Sequence, residues 1–315
     1  TTVAVNLAIL ASTGVTDSGT VSVSGATQIT STGAVTLDND VVLTGSVAVD
    51  AVDLTLDAAA DIELNAVTLS GNLDLATTGD IAQSELAADA IAVTGTTTLE
   101  TGVDNKIVLR NAANSFGGLV TLTAAKGADL HTATALNLQG AVGVDGLRVS
   151  ALTDVTLGAL NITGGDLMIA ARNPLSQTAG LTVSGETTLD LGATGAINLQ
   201  NAATDFGGKL MISAASNVDL FDANALTLQG DMTGNLDVVT VAGLALGTTN
   251  VGGALTLTTG GDITQLTPDS ALTVTGTTTL TAQAGATDFD ITLANVDANG
   301  VALNDFIGAI NIVAA

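Results

Sequence analysis

Short runs alternate apolar and polar residues along the whole chain, as in LTLQG at 226–230, LDVVTVAGLAL at 236–246 and ALTLTTGGDITQ at 254–265. A period of two belongs to a pleated strand that buries one face. Gly, Asn, Asp and Thr punctuate the runs, as turns require. ELAADAIAV at 85–93 has the alanine content of a helix, but no window of eleven or more residues carries a 3.6-residue period with caps. The pattern predicts strand and loop for nearly the whole chain.

One series of strands begins at Leu73, Ile91, Ile107, Ala128, Leu147, Leu167, Leu181, Ile197, Val218, Leu236, Leu255, Leu272 and Ile291, with gaps of 14 to 21 residues that average about 18. That spacing is too long for a hairpin meander and too short for a strand-helix-strand crossover. It suits one turn of a coil, in which strands of successive turns lie in parallel register and satisfy one another's backbone groups. About 17 or 18 such coils fit in 315 residues. A rod on the order of 80 to 85 Å long would result at the strand spacing.

The chain also repeats on a longer scale. LTVTGTTTL at 272–280 returns as LTVSGETTL at 181–189 and IAVTGTTTL at 91–99, so Gly95, Gly185 and Gly276 are 90 and 91 residues apart. NAANSFGG at 111–118 and NAATDFGG at 201–208 keep the same 90-residue step, as do ALNLQG at 135–140 and ALTLQG at 225–230. NDFIGA at 304–309 follows after 100 residues, the excess lying in insertions around GATDFD and NVDANGVAL, and a weaker copy, VSVSGATQI, stands at 21–29. Fixed-period self-similarity marks an array of stacked units. The expected organisation is degenerate coils at 1–69, repeat units at 70–160 and 161–250 and a partial unit at 251–315, all one continuous solenoid.

Composition agrees with a narrow interior. The chain is 46% hydrophobic but 2% aromatic, with five Phe and no Tyr or Trp, so its core must be aliphatic stacks and alanine. Thirty-six glycines against two prolines, Pro174 and Pro268, fit tight corners in a sheet whose backbone donors are nearly all used.

The DIAQ and DITQ stretches, the LTVTGTTTL block, the INLQNAATDFGG block and the TLTAAKGADL strand resemble the shaft repeats of the filamentous haemagglutinin family, large bacterial exoproteins exported by two-partner secretion. The likeness is close over 70–315 and loose over 1–69. It implies a right-handed parallel β-helix, secreted or held at the bacterial cell surface, that serves as a stalk or adhesive surface. Right-handedness is also the rule for parallel connections. No catalytic residue is carried over. That family's export domain has Asn-Pro-Asn motifs, and the nearest match, Asn173-Pro174-Leu175, lacks the second Asn, so the chain reads as shaft without export domain.

No apolar run approaches the roughly 18 residues that span a bilayer. A membrane β-barrel is disfavoured by the short strands, the missing aromatic girdle and the 90-residue repeat. With no cysteine, disulfides and thiolate metal sites are excluded. The apolar segments TTVAVNLAI and AINIVAA at the two ends would be sticky if uncapped, so end-to-end self-association is an expected mode of partnering, alongside a surface receptor the sequence does not name.

Charge narrows the partners. Thirty-one acidic groups against six basic ones give a formal net charge of −25, and Lys106, Arg110, Lys126, Arg148, Arg172 and Lys209 are the only cations. Such a surface repels phosphate backbones and anionic headgroups, so neither nucleic-acid binding nor membrane insertion is expected. Calcium or other divalent counterions would suit Asp in turns. The weak candidates are Asp38 with Asp40, and Asp288, Asp290 and Asp297. No EF-hand loop and no GGxGxDx repeat supports them, and a solvated acidic face is the expectation.

A carbohydrate-active enzyme would need a carboxylate pair in a cleft, and sugar-stacking Trp and Tyr are missing. His131, the one histidine, takes the place that Phe221 holds in the next unit, which points to a packed corner. Phe116, Phe206 and Phe306 are expected as core plugs five coils apart, not adhesive anchors, and Gly117-Gly118 and Gly207-Gly208 as corners. The expectation is therefore a non-catalytic shaft segment, or else a self-assembling filament subunit.

Overall fold

The computed structural model of the chain describes residues 2–3, 5–266, 270–285, 287–297 and 299–313. It is a parallel β-solenoid of about 14 turns with about 20 residues per turn. The described residues contain no α-helix; the alanine-rich segment forms only the exposed 3-10 turn Ala87–Asp89 between short strands. Two compact units are distinguished, residues 1–155 and 156–315.

In the first unit two parallel ladders take up most of each coil. Ladder A stacks Leu7, Thr27 and Val47 on Leu64 of the strand Ile62–Leu69, whose Ile62 continues through Ile81, Ile107 and Ala128 to Leu147. Ladder B stacks Val15, Val35, Leu54, Leu73, Thr97, Val120 and Leu138. In the second unit ladder A runs through Leu167, Thr187, Leu210, Leu228, Leu246 and Gln265. Ladder B there runs through Leu175, Ile197, Val218, Leu236, Leu255, Thr278 and Ile310. The alternating residues turn inward, and most of the aliphatic rungs, among them Leu54, Leu73, Leu210, Leu228, Leu246 and Leu255, are at most 1% exposed. Burying a Leu contributes about 1.5–3 kcal/mol, so the core gains stability coil by coil.

The turn is longer than the strand spacing predicts, for a specific reason. Long coils carry an additional short strand, Ile91–Val93, Leu181–Val183 or Leu272–Val274, which the sequence pattern counts as a coil of its own. Register steps of 23 or 24 residues, such as Leu73 to Thr97 and Leu255 to Thr278, therefore stand beside steps of 18, such as Leu210 to Leu228. The coil count falls accordingly from the expected 17 or 18.

This changes the meaning of the 90-residue repeat. Thr187 and Thr278 hold the same place in LTVSGETTL and LTVTGTTTL, yet Thr187 belongs to ladder A and Thr278 to ladder B. Four coils lead from Thr187 to Gln265, and half a coil more reaches Thr278. The weaker copy in the first unit obeys the same rule: three coils lead from Thr27 to Gln83, and half a coil more reaches Thr97. Within each unit a repeat thus spans a half-integral number of coils, and its two copies present the same motif on different ladders.

Candidate functional site

Three arrangements of side chains stand out, two of them structural. The first is a buried amide clamp. Asn114 is fully buried; its Oδ1 accepts from Gln83 Nε2 at 2.7 Å and from the Ile91 backbone N at 2.8 Å, and its Nδ2 donates to Gln83 Oε1 at 2.9 Å. Gln83 Nε2 also donates to the Asp89 carbonyl at 3.0 Å, which closes the 84–90 loop over the clamp. The third copy repeats it: Gln265 Nε2 donates to Asn304 Oδ1 at 2.8 Å, Asn304 Nδ2 returns to Gln265 Oε1 at 3.0 Å, and Leu272 N donates to Asn304 Oδ1 at 2.9 Å. In the second copy Thr204 replaces the Asn and bonds Gln177 at 2.8 Å. These are the DIAQ, DITQ and NxxN positions of the repeat. The sequence reading missed their role because a polar residue at a strand end reads as turn punctuation.

The second is a staircase of Asp and Asn at the corners. Asp53 Oδ1 accepts from Asn72 N at 2.7 Å, and Asn72 Oδ1 in turn accepts from Thr96 N at 2.9 Å. Asp61 serves Asp80 N and Asp80 serves Lys106 N; in the second unit Asn217 serves Asn235 N and Asn235 serves Ala254 N. Each acceptor lies under a corner of the next coil, where Gly95 is required: a Cβ there would meet Asn72 Oδ1 and come within 2.7 Å of the Gly71 carbonyl. Part of the acidic excess therefore tethers backbone amides between coils as well as facing solvent.

Of the calcium candidates, Asp297 and Asp40 accept hydrogen bonds through their carboxylates. Asp297 holds a turn: its Oδ1 accepts from Asn299 N and Val301 N, both at 2.8 Å, and these bonds hold its carboxyl below the usual value. The Asp290 amide donates to Asp262 Oδ1 at 2.9 Å. The side chain of Asp288 lies outside what the structure describes. Asp40 Oδ2 accepts from Thr20 Oγ1, while Asp38 and Asn39 donate their amides to Asp17. Burial pushes the Asp17 carboxyl up, but the bonds from Asn39 and Asp38 outweigh it and leave its pKa lowered. Among the described residues no group of three or more His, Cys, Asp or Glu is placed to hold a metal ion.

The glycine landmarks Gly95 and Gly185 are corners of this kind, over Asn72 and Asp166, while Gly276 packs against the backbone of Gly253. Phe116 and Phe206 are buried at 2% and 1% exposure, plugs as expected, whereas Phe306 is half-buried. Phe206 and Phe306 are not five coils apart in one column: Phe306 stacks on Val274, Val251, Met232 and Ala215, and Phe206 stacks on Val183. The half-coil offset of the repeat separates them.

The third arrangement is the outer surface of ladder A in the first unit. Inward Ile107, Ala128 and Leu147 alternate with outward residues, so Val108, Asp129 and Arg148 form one row and His131 and Ser150 another, with Arg110 next to His131. Arg110 Nε donates to Asp129 Oδ2 at 2.7 Å, and His131 Nε2 stands 3.3 Å from Asp129 Oδ1. At the other edge Lys106 Nζ is 2.7 Å and Lys126 Nζ 3.9 Å from Asp145 Oδ2. The Lys106 hydrogen bond leads in lowering the Asp145 carboxyl. Four of the six cations and the one histidine thus gather over three coils. The sequence reading registered their interval along the chain but not their convergence, because strand register brings together residues about 20 apart.

Residues 1–50, 51–123, 145–213 and 237–313 match the family described as Repeats of unknown function (DUF5649), and the chain belongs to that family. No curated protein and no solved structure matches it. The protein is thus defined as a solenoid repeat protein. No helix among the described residues is long and apolar enough to cross a membrane.

Proposed function

We propose that the chain is a non-catalytic shaft segment of a large secreted or cell-surface bacterial protein, structural or adhesive in role, akin to the filamentous haemagglutinin shafts that its repeats resemble. The observation that carries this reading is the way side chains are spent. Buried amides, corner carboxylates and stacked aliphatic residues all tie one coil to the next. A mechanical role needs this, since stability then rises with each added coil. Ligand contacts would be spread over the outer rows of the ladders.

A second reading, a filament subunit joined by strand continuation, is favoured by the strand Ile310–Val313. It exposes Ile310 and Ile312 at 48% and 62%, an apolar face that would suit strand pairing with another copy. Electron microscopy at increasing concentration, with and without calcium, separates the two. A shaft segment gives isolated particles unaffected by either variable. A filament subunit gives filaments that lengthen with concentration.

A further inference from the structure

The two copies of one outer surface carry opposite charge. KIVLRNAANSFGG at 106–118 corresponds to AINLQNAATDFGG at 196–208, and ADLHTATALNLQG at 128–140 to VDLFDANALTLQG at 218–230. The substitutions are Lys106 to Ala196, Arg110 to Gln200, Lys126 to Ser216 and His131 to Phe221, while Asp129 is kept as Asp219. Register adds one more. Asp129 pairs with Arg148 in the first unit, and Asp219 pairs with Asp237 in the second. The same backbone therefore displays an exposed arginine in one unit and a second carboxylate in the other.

We propose that the cationic patch around Arg148 is a docking surface for a second copy of this chain, and that it seats on the Asp219–Asp237 patch of that copy. Charge complementarity selects this occupant. Residues 106–150 hold four cations and two acids in a chain of net charge −25, and residues 1–105 and 210–315 hold no Lys or Arg. The acidic patch is in want of a cation: burial, and next the charge of Asp219, raise the Asp237 carboxyl. Arg148 is exposed and engages neither Asp145 nor Asp129, which hold Lys106 and Arg110. A contact between two different patches is heterologous, so it continues from copy to copy unless the rotation closes a ring. It is lateral, and distinct from any joining of strand edges.

The test is sedimentation velocity of the full chain across ionic strength. At about 0.15 M salt the screening length is ~8 Å, which damps the long-range repulsion of two polyanions but preserves contact pairs; at about 1 M it is ~3 Å. Association at the lower salt and its loss at the higher are expected. R148D, which installs the residue of the other unit, and D237R should each weaken association about tenfold or more. Circular dichroism would verify that both fold. An equimolar mixture of the two should associate again, since one intact patch of each kind remains. Association unchanged by either variant, or a mixture that stays monomeric, overturns the proposal. A monomeric wild type that binds polyglutamate through Arg148 also overturns it and assigns the patch to an acidic polymer.

Discussion

Replacing Asn114 by Ala tests whether the buried amide clamp holds the long coil together. The substitution removes two accepted bonds at 2.7 and 2.8 Å and a donated bond at 2.9 Å, with a longer donated contact of 3.5 Å to the Leu109 carbonyl, from a fully buried site. Gln83 keeps the Asp89 carbonyl and a 3.3 Å bond from Asn111 N, so its amide remains partly satisfied. The Ile91 amide loses the Asn114 acceptor. At a net ~1 kcal/mol per bond, plus ~1–3 kcal/mol for a stranded buried donor, the loss is about 3–5 kcal/mol. Asn114→Thr should cost about half as much, because Thr204 fills this place in the next copy and still bonds Gln177. Denaturant midpoints monitored by circular dichroism give the ordering, and hydrogen exchange at the Ile91 amide gives the location, even if unfolding is not two-state. A cost below about 0.5 kcal/mol for Ala, or equal costs for Ala and Thr, would refute the clamp as an energetic element.

Three further outcomes are expected. Phe206→Ala should destabilise by about 3–5 kcal/mol as a cavity in a packed interior, and the half-buried Phe306→Ala by clearly less; equal losses in thermal melts would contradict the plug assignment. Gly95→Ala should cost about 1–3 kcal/mol, since its new Cβ crowds Asn72 and the Gly71 carbonyl, and a neutral result in urea titration would count against the corner staircase. The buried Asp222 accepts the Phe206 and Asn224 amides at 2.8 and 2.7 Å, yet burial outweighs these bonds and raises its carboxyl above the ordinary 3.8. A raised folded value means that Asp222 favours the fold most in acid, below the unfolded value, and that this stability is lost as pH rises through the folded value. Asp222→Asn should remove that component from the pH dependence of the midpoint; an unchanged slope would contradict it.

The parallel solenoid was legible in the sequence because alternation and turn residues are local signals and the 90-residue copies are nearly verbatim. The length of the coil was not. Ile91–Val93 looks in sequence like any other apolar-x-apolar strand, and only its pairing with Thr68 and Ser115 as its neighbours shows it to be an inserted side of a long coil. The half-coil offset is hidden for the same reason, since identical motifs give no sign of which ladder they join. Gln83 and Asn114 are 31 residues apart and meet only after a full coil has closed, so no short window contains their relation. The acidic surplus was read as solvated surface; Asp61 and Asp80 are exposed in that sense and Asp53 is half-buried, but each also accepts a backbone amide from the next coil.

Disulfide mapping tests the central claim most directly, namely that coils of unequal length stack in two ladders and that the two repeat copies within a unit occupy different ones. The chain has no cysteine, so introduced pairs report without background. Outward register partners 23 residues apart, Thr188 with Met211 on one ladder and Thr256 with Thr279 on the other, should both oxidise readily as cysteine pairs, because stacked rungs about 4.8 Å apart are within disulfide reach. Thr188 paired with Thr279, equivalent in sequence but assigned to different ladders, should not. A cross-link between Thr188 and Thr279, or none in the two register pairs, would contradict the account.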